Sequence, residues 1–268
     1  MRSSASICTS LEEQPVLLHI GTVQTVRVID LETTGSQPSA HGVCEIGWQD
    51  VAQDERGVWR VTEGRGSILT HPGRGIPPVT AAVHHIIDSD VIGAPPFRDA
   101  APPILRGPYA ALAAHRASFE ERWCTPELAG GLPWICTWKC ALRVWPEAPS
   151  FSNQVLRYWR MPAGLDRNLG LPVHRAGPDA YVTAYHLRDM LGRASVEQLI
   201  AWSAEPGLLP RVPAGPNRGK AWRDLDDAAL TLAAGDRDED VRFSAKHEVT
   251  RRKGMPVEVP SAAQGRLI

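Results

Sequence analysis

An apolar run that ends in two acids spaced two apart constrains this chain more than any other feature. In the segment VIDLETTG, residues 28–35, Asp30 and Glu32 share strand parity with Val26 and Val28, while Arg27, Ile29 and Leu31 point the other way. A strand here therefore aims both carboxylates in one direction. Like charges that close raise each other's pKa unless a cation or hydrogen-bond donors compensate. A divalent metal with oxygen ligands is the simplest compensation. The competing reading is a strand that frays into the turn Thr33-Thr34-Gly35 with both acids solvated.

Three strand-like runs open the patterned part of the chain, over residues 23–31, 43–52 and 57–69. The first ends at Gly35-Ser-Gln-Pro38, and the polar turn Asp54-Glu55-Arg56-Gly57 joins the second to the third. Turns that short imply antiparallel pairing. After a Pro/Gly-rich link at 72–78 the pattern alternates: helical periodicity over 79–87 and 98–106, an ambiguous alanine-rich piece at 108–114, and a helix beginning at 119–123. A short apolar piece at 134–136 follows, then helices over 137–145, 151–160, 178–191 and 195–204. Antiparallel strands followed by alternating units predict an α/β fold, a mixed sheet with helices on its faces.

The expected division is a loose leader over 1–20, a main domain over 21–205, a linker and small module over 206–253, and a disordered tail over 254–268. The linker, PGLLPRVPAGPNRG, is dense in Pro and Gly. The module is too small to bury much core alone and is expected to dock on the rest. Its last helix, around 239–252, closes on Arg251-Arg252-Lys253, cations that suit a helix C-terminus and equally suit phosphate contact.

Bulk properties narrow the class. A formal net charge of −1 excludes a strongly basic packaging protein, yet leaves room for a locally basic groove. Five cysteines, an odd number without a Cys-x-x-Cys pair, point to a reduced, intracellular protein. Cys136 and Cys140 share a helix face and read as buried thiols. No run of 18 apolar residues exists, and the N-terminus lacks a basic start followed by an apolar core, so the expected location is cytoplasmic.

Any metal site begun by Asp30 and Glu32 needs further acids. One source is AHRASFEERW, residues 114–123, where His115, Arg116 and Phe119 precede Glu120 and Glu121. The other is HRAGPDAY, residues 174–181. Gly177 and Pro178 suit a helix entry, which puts Asp179 in the first turn, where the helix dipole favours an ionised carboxylate. His174 then sits in the loop ahead of the helix.

The order Asp30-x-Glu32-Thr-Thr-Gly, His115-x-Ala-x-Phe-acid, His174-x-Ala-x-x-Asp179-Ala resembles the three motifs of the DEDDh (DnaQ-like) 3′-to-5′ exonucleases. AVHHI, residues 82–86, is similar to the family's histidine-containing segment, with His84 at the matching position. WICTWKCALRVWP (134–146), SNQVLRYW (152–159) and RGKAWRDL (218–225) are similar to the exodeoxyribonuclease X branch. The resemblance spans roughly residues 25–250.

It implies a ribonuclease-H-like fold with a five-stranded mixed sheet. It also implies two Mg²⁺ ions, roughly 3.5–4 Å apart, clamping the scissile phosphate. Asp30, Glu32, Glu120 and Asp179 are the implied ligands, with Mn²⁺ as a substitute, and His174 is the implied base for the attacking water. Leu31, Thr33, Thr34, Gly35, His84, His115, Arg116 and Phe119 are the implied substrate contacts. Backbone N–H groups from Leu31 to Thr34 would receive the terminal 3′-hydroxyl. The implied partner is DNA with a free 3′ end, single strands preferred because the terminal base must be unstacked.

Two departures from the family pattern bear on activity. Glu120 stands where aspartate is usual, which extends the carboxylate by about 1.5 Å. Mg²⁺ demands near-ideal octahedral geometry, so the second ion is expected to be held less well and manganese to be better tolerated. Arg116 stands where asparagine is usual, either gripping phosphate or pairing with Glu120 when metal is absent. The alternatives are a 3′-end-binding relative impaired in turnover and an exonuclease directed at RNA.

Overall fold

The structure is a computed structural model that describes residues 23–254. The expected leader lies outside the described residues, as does the expected tail apart from Gly254.

Three strands come first: β1 (Thr25–Thr33), β2 (Val43–Gln53) and β3 (Trp59–Leu69). Asp54 closes the tight β2–β3 turn by accepting from the Arg56 and Val58 backbone N–H groups at 3.0 and 2.9 Å. Then come α1 (Pro78–His84), α2 (Phe97–Leu105), β4 (Ala111–Ala114), α3 (Glu120–Trp123), α4 (Pro126–Ala129) and β5 (Trp134–Cys136). The helices α5 (Thr137–Val144), α6 (Asn153–Arg160), α7 (Ala176–Leu191) and α8 (Val196–Ala204) follow, and the module carries α9 (Asp227–Ala233) and α10 (Glu239–Arg252).

The five strands form one mixed sheet in the order β3-β2-β1-β4-β5. β1 is central, antiparallel to β2 and parallel to β4, and β4 is parallel to β5. The ambiguous piece at 108–114 thus resolves as a strand. Alanine favours helix locally, but all four residues of β4 are buried between neighbouring strands and two helical layers, and tertiary context decides.

The alternation read from the sequence sorts β1 between two cores. Val26 and Val28 pack with Ala180, Ala184 and Leu187 of α7. Ile29 and Leu31 pack on the opposite face with Ile104 and Leu105 of α2 and with Trp123. Complete burial of a side chain such as Ile29 contributes roughly 1.5–3 kcal/mol. Asp30 and Glu32 continue the α7 face.

Four cysteines, Cys44, Cys124, Cys136 and Cys140, are buried free thiols. Burial pushes the Cys140 thiol up to about 12, so it stays protonated. Cys8 lies outside the described residues. Among the described residues no helix is long and apolar enough to cross a membrane.

The start of the 206–219 stretch lies against α10, and Val212 bonds back to Gly219 and Lys220. Gly207 N–H donates to Asp240 at 2.6 Å, and Leu209 N–H donates to Ser244 at 2.8 Å. Trp222, Leu225, Leu230, Val241 and Ala245 make a small core of their own. Leu209 also touches the cluster of Trp138 and Leu142.

Candidate active site

The route by which α7 reaches β1 depends on one glycine. Gly47 pairs with Asp30 across β1 and β2, and a Cβ at Gly47 would stand 2.2 Å from the Ala176 carbonyl carbon. With glycine there, the first turn of α7 lies directly on the sheet. That turn begins at Ala176, two residues before Pro178, and it carries Asp179. Ligand oxygens of Asp30, Glu32 and Asp179 lie within 4.8 Å of one another.

Asp179 is held from two sides. Its Oδ1 accepts from Gln154 Nε2 at 2.7 Å, and its Oδ2 accepts from the His174 backbone N–H at 2.7 Å. Buried Arg157 in turn donates to Gln154 at 3.2 Å and to the Gly170 carbonyl at 2.7 Å. A second anchor fixes the start of α7. Arg175 donates to both carboxylate oxygens of Glu45 at 2.8 and 3.0 Å, and the Ala176 N–H adds a bond at 3.1 Å. Glu45 is the cross-strand neighbour of Glu32.

Electrostatics mark the cluster as short of positive charge. Burial, then Asp179, Glu32, Glu120 and Glu45, hold the Asp30 carboxyl well above the usual carboxylate range. Burial, Asp179 and Glu45 push Glu32 up to about 8 against the opposing pull of Arg175. Burial also raises Asp179, in spite of the bonds from His174 and Gln154. Every donor in the set is a carboxylate oxygen, the donor type of hard divalent cations.

Glu120 opens α3 with 4% of its surface exposed. Burial raises its pKa well above the ordinary value. Its Oε2 is buried without a hydrogen-bond partner, a state that buried polar atoms rarely occupy. The sequence reading gathers four acids, whereas the group within 4.8 Å stops at three and leaves Glu120 out of it. Glu120 nevertheless contributes to raising Asp30, so it faces the same cluster. An orphaned acid beside a repelling trio fits a site built for divalent metal.

His174 is exposed, with φ of 58°, in the loop ahead of α7. The other expected contacts divide. Leu31 is buried in the α2 core. Thr33 Oγ1 donates to the Gly35 carbonyl at 2.8 Å, and a Cβ at Gly35 would meet the His41 ring at 2.3 Å. The Thr34 N–H donates to the Gly42 carbonyl at 2.9 Å.

Both motif histidines bond within the protein. His84 is 1% exposed, accepts from Ile86 N–H at 3.1 Å, and lies against Cys44. Burial lowers its pKa and a hydrogen bond with the Thr33 backbone opposes that, so the ring supports the end of β1 from within. His115 spends one ring nitrogen on the Phe151 carbonyl at 2.8 Å and the other on Thr137 Oγ1 at 3.0 Å.

Arg116 does not pair with Glu120. Its guanidinium lies over Trp138, 4.1 Å from the ring centroid, on a backbone with φ of 66°. Phe119 is half-buried and 6.4 Å from Trp123, which is itself core. Glu121 is exposed.

Sequence reasoning missed Glu45, Arg175, Gln154 and Arg157. The available signal was a charged residue inside the apolar strand VCEIGW.

No protein-family model matches the chain. It is 34% identical over 202 residues to exodeoxyribonuclease 10 of Escherichia coli K12, a match that spans 75% of this chain and 84% of that protein. The chain belongs to the exonuclease X family of DEDDh exonucleases. It is therefore a 3′-to-5′ exonuclease. The same enzyme of Escherichia coli O6:H1 matches to the same extent. Among solved structures, exonuclease X in complex with 5′-overhanging duplex DNA matches with a TM-score of 0.52 and 30% identity, over 67% of this chain and 99% of that one. The zinc-bound complex of Escherichia coli exonuclease I with single-stranded DNA matches with a TM-score of 0.50 and 14% identity, over 67% and 42% of the two chains. That second likeness is one of fold alone.

Proposed function

We propose that this exonuclease is metal-dependent, acts on DNA with a free 3′ end, and prefers single strands. The observation that carries the reading is the trio Asp30, Glu32 and Asp179 within 4.8 Å of one another, beside a buried Glu120 oxygen that has no partner. Asp30, Glu32 and Asp179 would hold one divalent ion, and Asp30 with Glu120 a second, Mg²⁺ being the expected ion and Mn²⁺ an accepted one. When bound, such ions keep the acids ionised and polarise the scissile phosphate.

The chain's own groups do the rest. His174 takes the proton of the attacking water, its exposed ring swinging from a backbone that is fixed on Asp179. The water oxygen bonds to phosphorus as the bond from phosphorus to the 3′ oxygen of the preceding nucleotide breaks; that oxygen takes a proton from solvent to become the new 3′-hydroxyl, and a nucleoside 5′-monophosphate leaves. The pairing of β1 with β4 ends at Val28 and Ala113, short of the acids Asp30 and Glu32 that would face the terminal nucleotide. The Thr33–Gly35 turn shapes the floor there.

The test is a degradation ladder on 5′-labelled single-stranded DNA, duplex DNA and RNA, each with Mg²⁺, Mn²⁺ or chelator. Stepwise shortening from the 3′ end is expected with either metal and none with chelator, single-stranded DNA reacting fastest. Faster trimming of RNA would overturn the substrate assignment. Binding of 3′ ends without shortening in either metal would point to the impaired relative.

A further inference from the structure

A cleft of about 1190 Å³ runs between the α5–α8 side of the main domain and α10 of the module. Two aromatic side chains in its wall, Trp202 of α8 and Phe243 of α10, are only partly buried. Arg143 lies between them, 5.6 Å from the first ring and 6.0 Å from the second. Five Arg or Lys line the cleft against three Glu, a positive excess within a chain whose net charge is −1. Two of the three acids cancel against two of the five cations. Glu205 pairs with Arg143, and Glu248 with Arg251 and Arg252. Lys246, Arg211 and Arg223 are exposed along the rim.

Helix α5 packs between the cleft and the Arg116 segment. Trp138 carries the Arg116 guanidinium, four residues before Glu120 in the chain. One turn further along α5, Leu142 lines the cleft, and Gly207 packs against both Trp138 and Leu142. Rings for stacking and a cationic rim are what a sequence-tolerant single-strand groove requires.

We propose that this cleft is a second nucleic-acid site, one that holds the single-stranded DNA 5′ of the nucleotides being removed, with Arg116 on Trp138 between the two sites. The inference rests on the exonuclease reading above, which supplies the strand. A stacked base and its phosphate need both features, and an apolar peptide would offer no anion to Arg211 and Lys246.

The experiment compares the wild-type chain with the double variant Arg211→Glu/Lys246→Glu. Both positions are exposed, and Arg211→Ala/Lys246→Ala serves if charge reversal unfolds the module. Affinity for a 20-nucleotide strand is read by fluorescence anisotropy in chelator across a salt series, and trimming of a five-nucleotide strand is read separately. The double variant should bind the long strand at least tenfold more weakly, with the salt slope reduced by about 1.4, roughly 0.7 for each lost phosphate contact. Trimming of the short strand should stay within twofold. Unchanged long-strand binding and slope, or equal losses on both strands, would overturn the proposal. Should wild type trim neither strand, the catalytic reading fails, while long-strand binding still decides the cleft.

Discussion

At Asp30 the repulsion that serves catalysis works against the fold. Its carboxyl is crowded by Asp179, Glu32 and Glu120 in a buried setting, so a neutral isostere relieves the metal-free protein. Asp30→Asn should raise Tm in chelator by about 3 °C, the effect of about 1 kcal/mol in a domain of this size, and lower 3′ trimming at least 10³-fold. Differential scanning fluorimetry and the labelled-strand assay read the two changes. Glu120 bears on metal choice. Glu120→Asp restores the shorter acid, and the ratio of Mn²⁺- to Mg²⁺-supported rates should fall about threefold, because Mg²⁺ tolerates misplaced ligands poorly. The strand parity of Asp30 and Glu32 was legible because it follows from chain geometry alone. The Glu45–Arg175 pair was not, since its partners are 130 residues apart and meet only through the fold. His84 and His115 could be located as motif positions, but whether a ring nitrogen faces substrate or a carbonyl is decided by packing.

The element that assembles the site is α7, seated on β2 through Gly47. Gly47→Ala would drive a methyl into the Ala176 backbone, which cannot swing aside as a flexible side chain can. The variant should lose about 1–3 kcal/mol in urea unfolding and most of its trimming activity, since Asp179 moves with the helix turn. Activity retained at the wild-type level would place the helix elsewhere. α10 depends on a different contact. Glu248 accepts from Arg251 at 2.7 Å and Arg252 at 2.9 Å, and Arg252 reaches Asp227 of α9 at 2.8 Å. These bonds pull Glu248 down to about 2 from its ordinary value of 4.5. A depressed acid binds fewer protons folded than unfolded, so its stabilisation is present above pH 4.5 and lost as pH falls toward 2. Urea midpoints measured from pH 6 to 2.5 should fall more steeply in wild type than in Glu248→Gln. Among the elements, β4 was the one the sequence left open, because four alanine-rich residues carry no period of their own and a central strand beside them supplies the decision.

Across the whole molecule, a central strand sandwiched by two helical layers brings residues from β1, α3, α6 and α7 to one edge. The order of strands and helices carried that architecture, since antiparallel runs with short turns followed by alternating units permit few mixed sheets. The cleft beside the module was not legible, because a net charge near zero hides a local positive excess. The central claim is that Asp30, Glu32 and Asp179 hold a divalent ion on which 3′ trimming depends. Manganese titration followed by electron paramagnetic resonance, on wild type, Asp30→Asn and Asp179→Asn, tests it most directly. Each substitution should weaken Mn²⁺ binding at least tenfold and abolish trimming in parallel. Equal Mn²⁺ affinity in all three proteins, or trimming that survives the loss of binding, would contradict it.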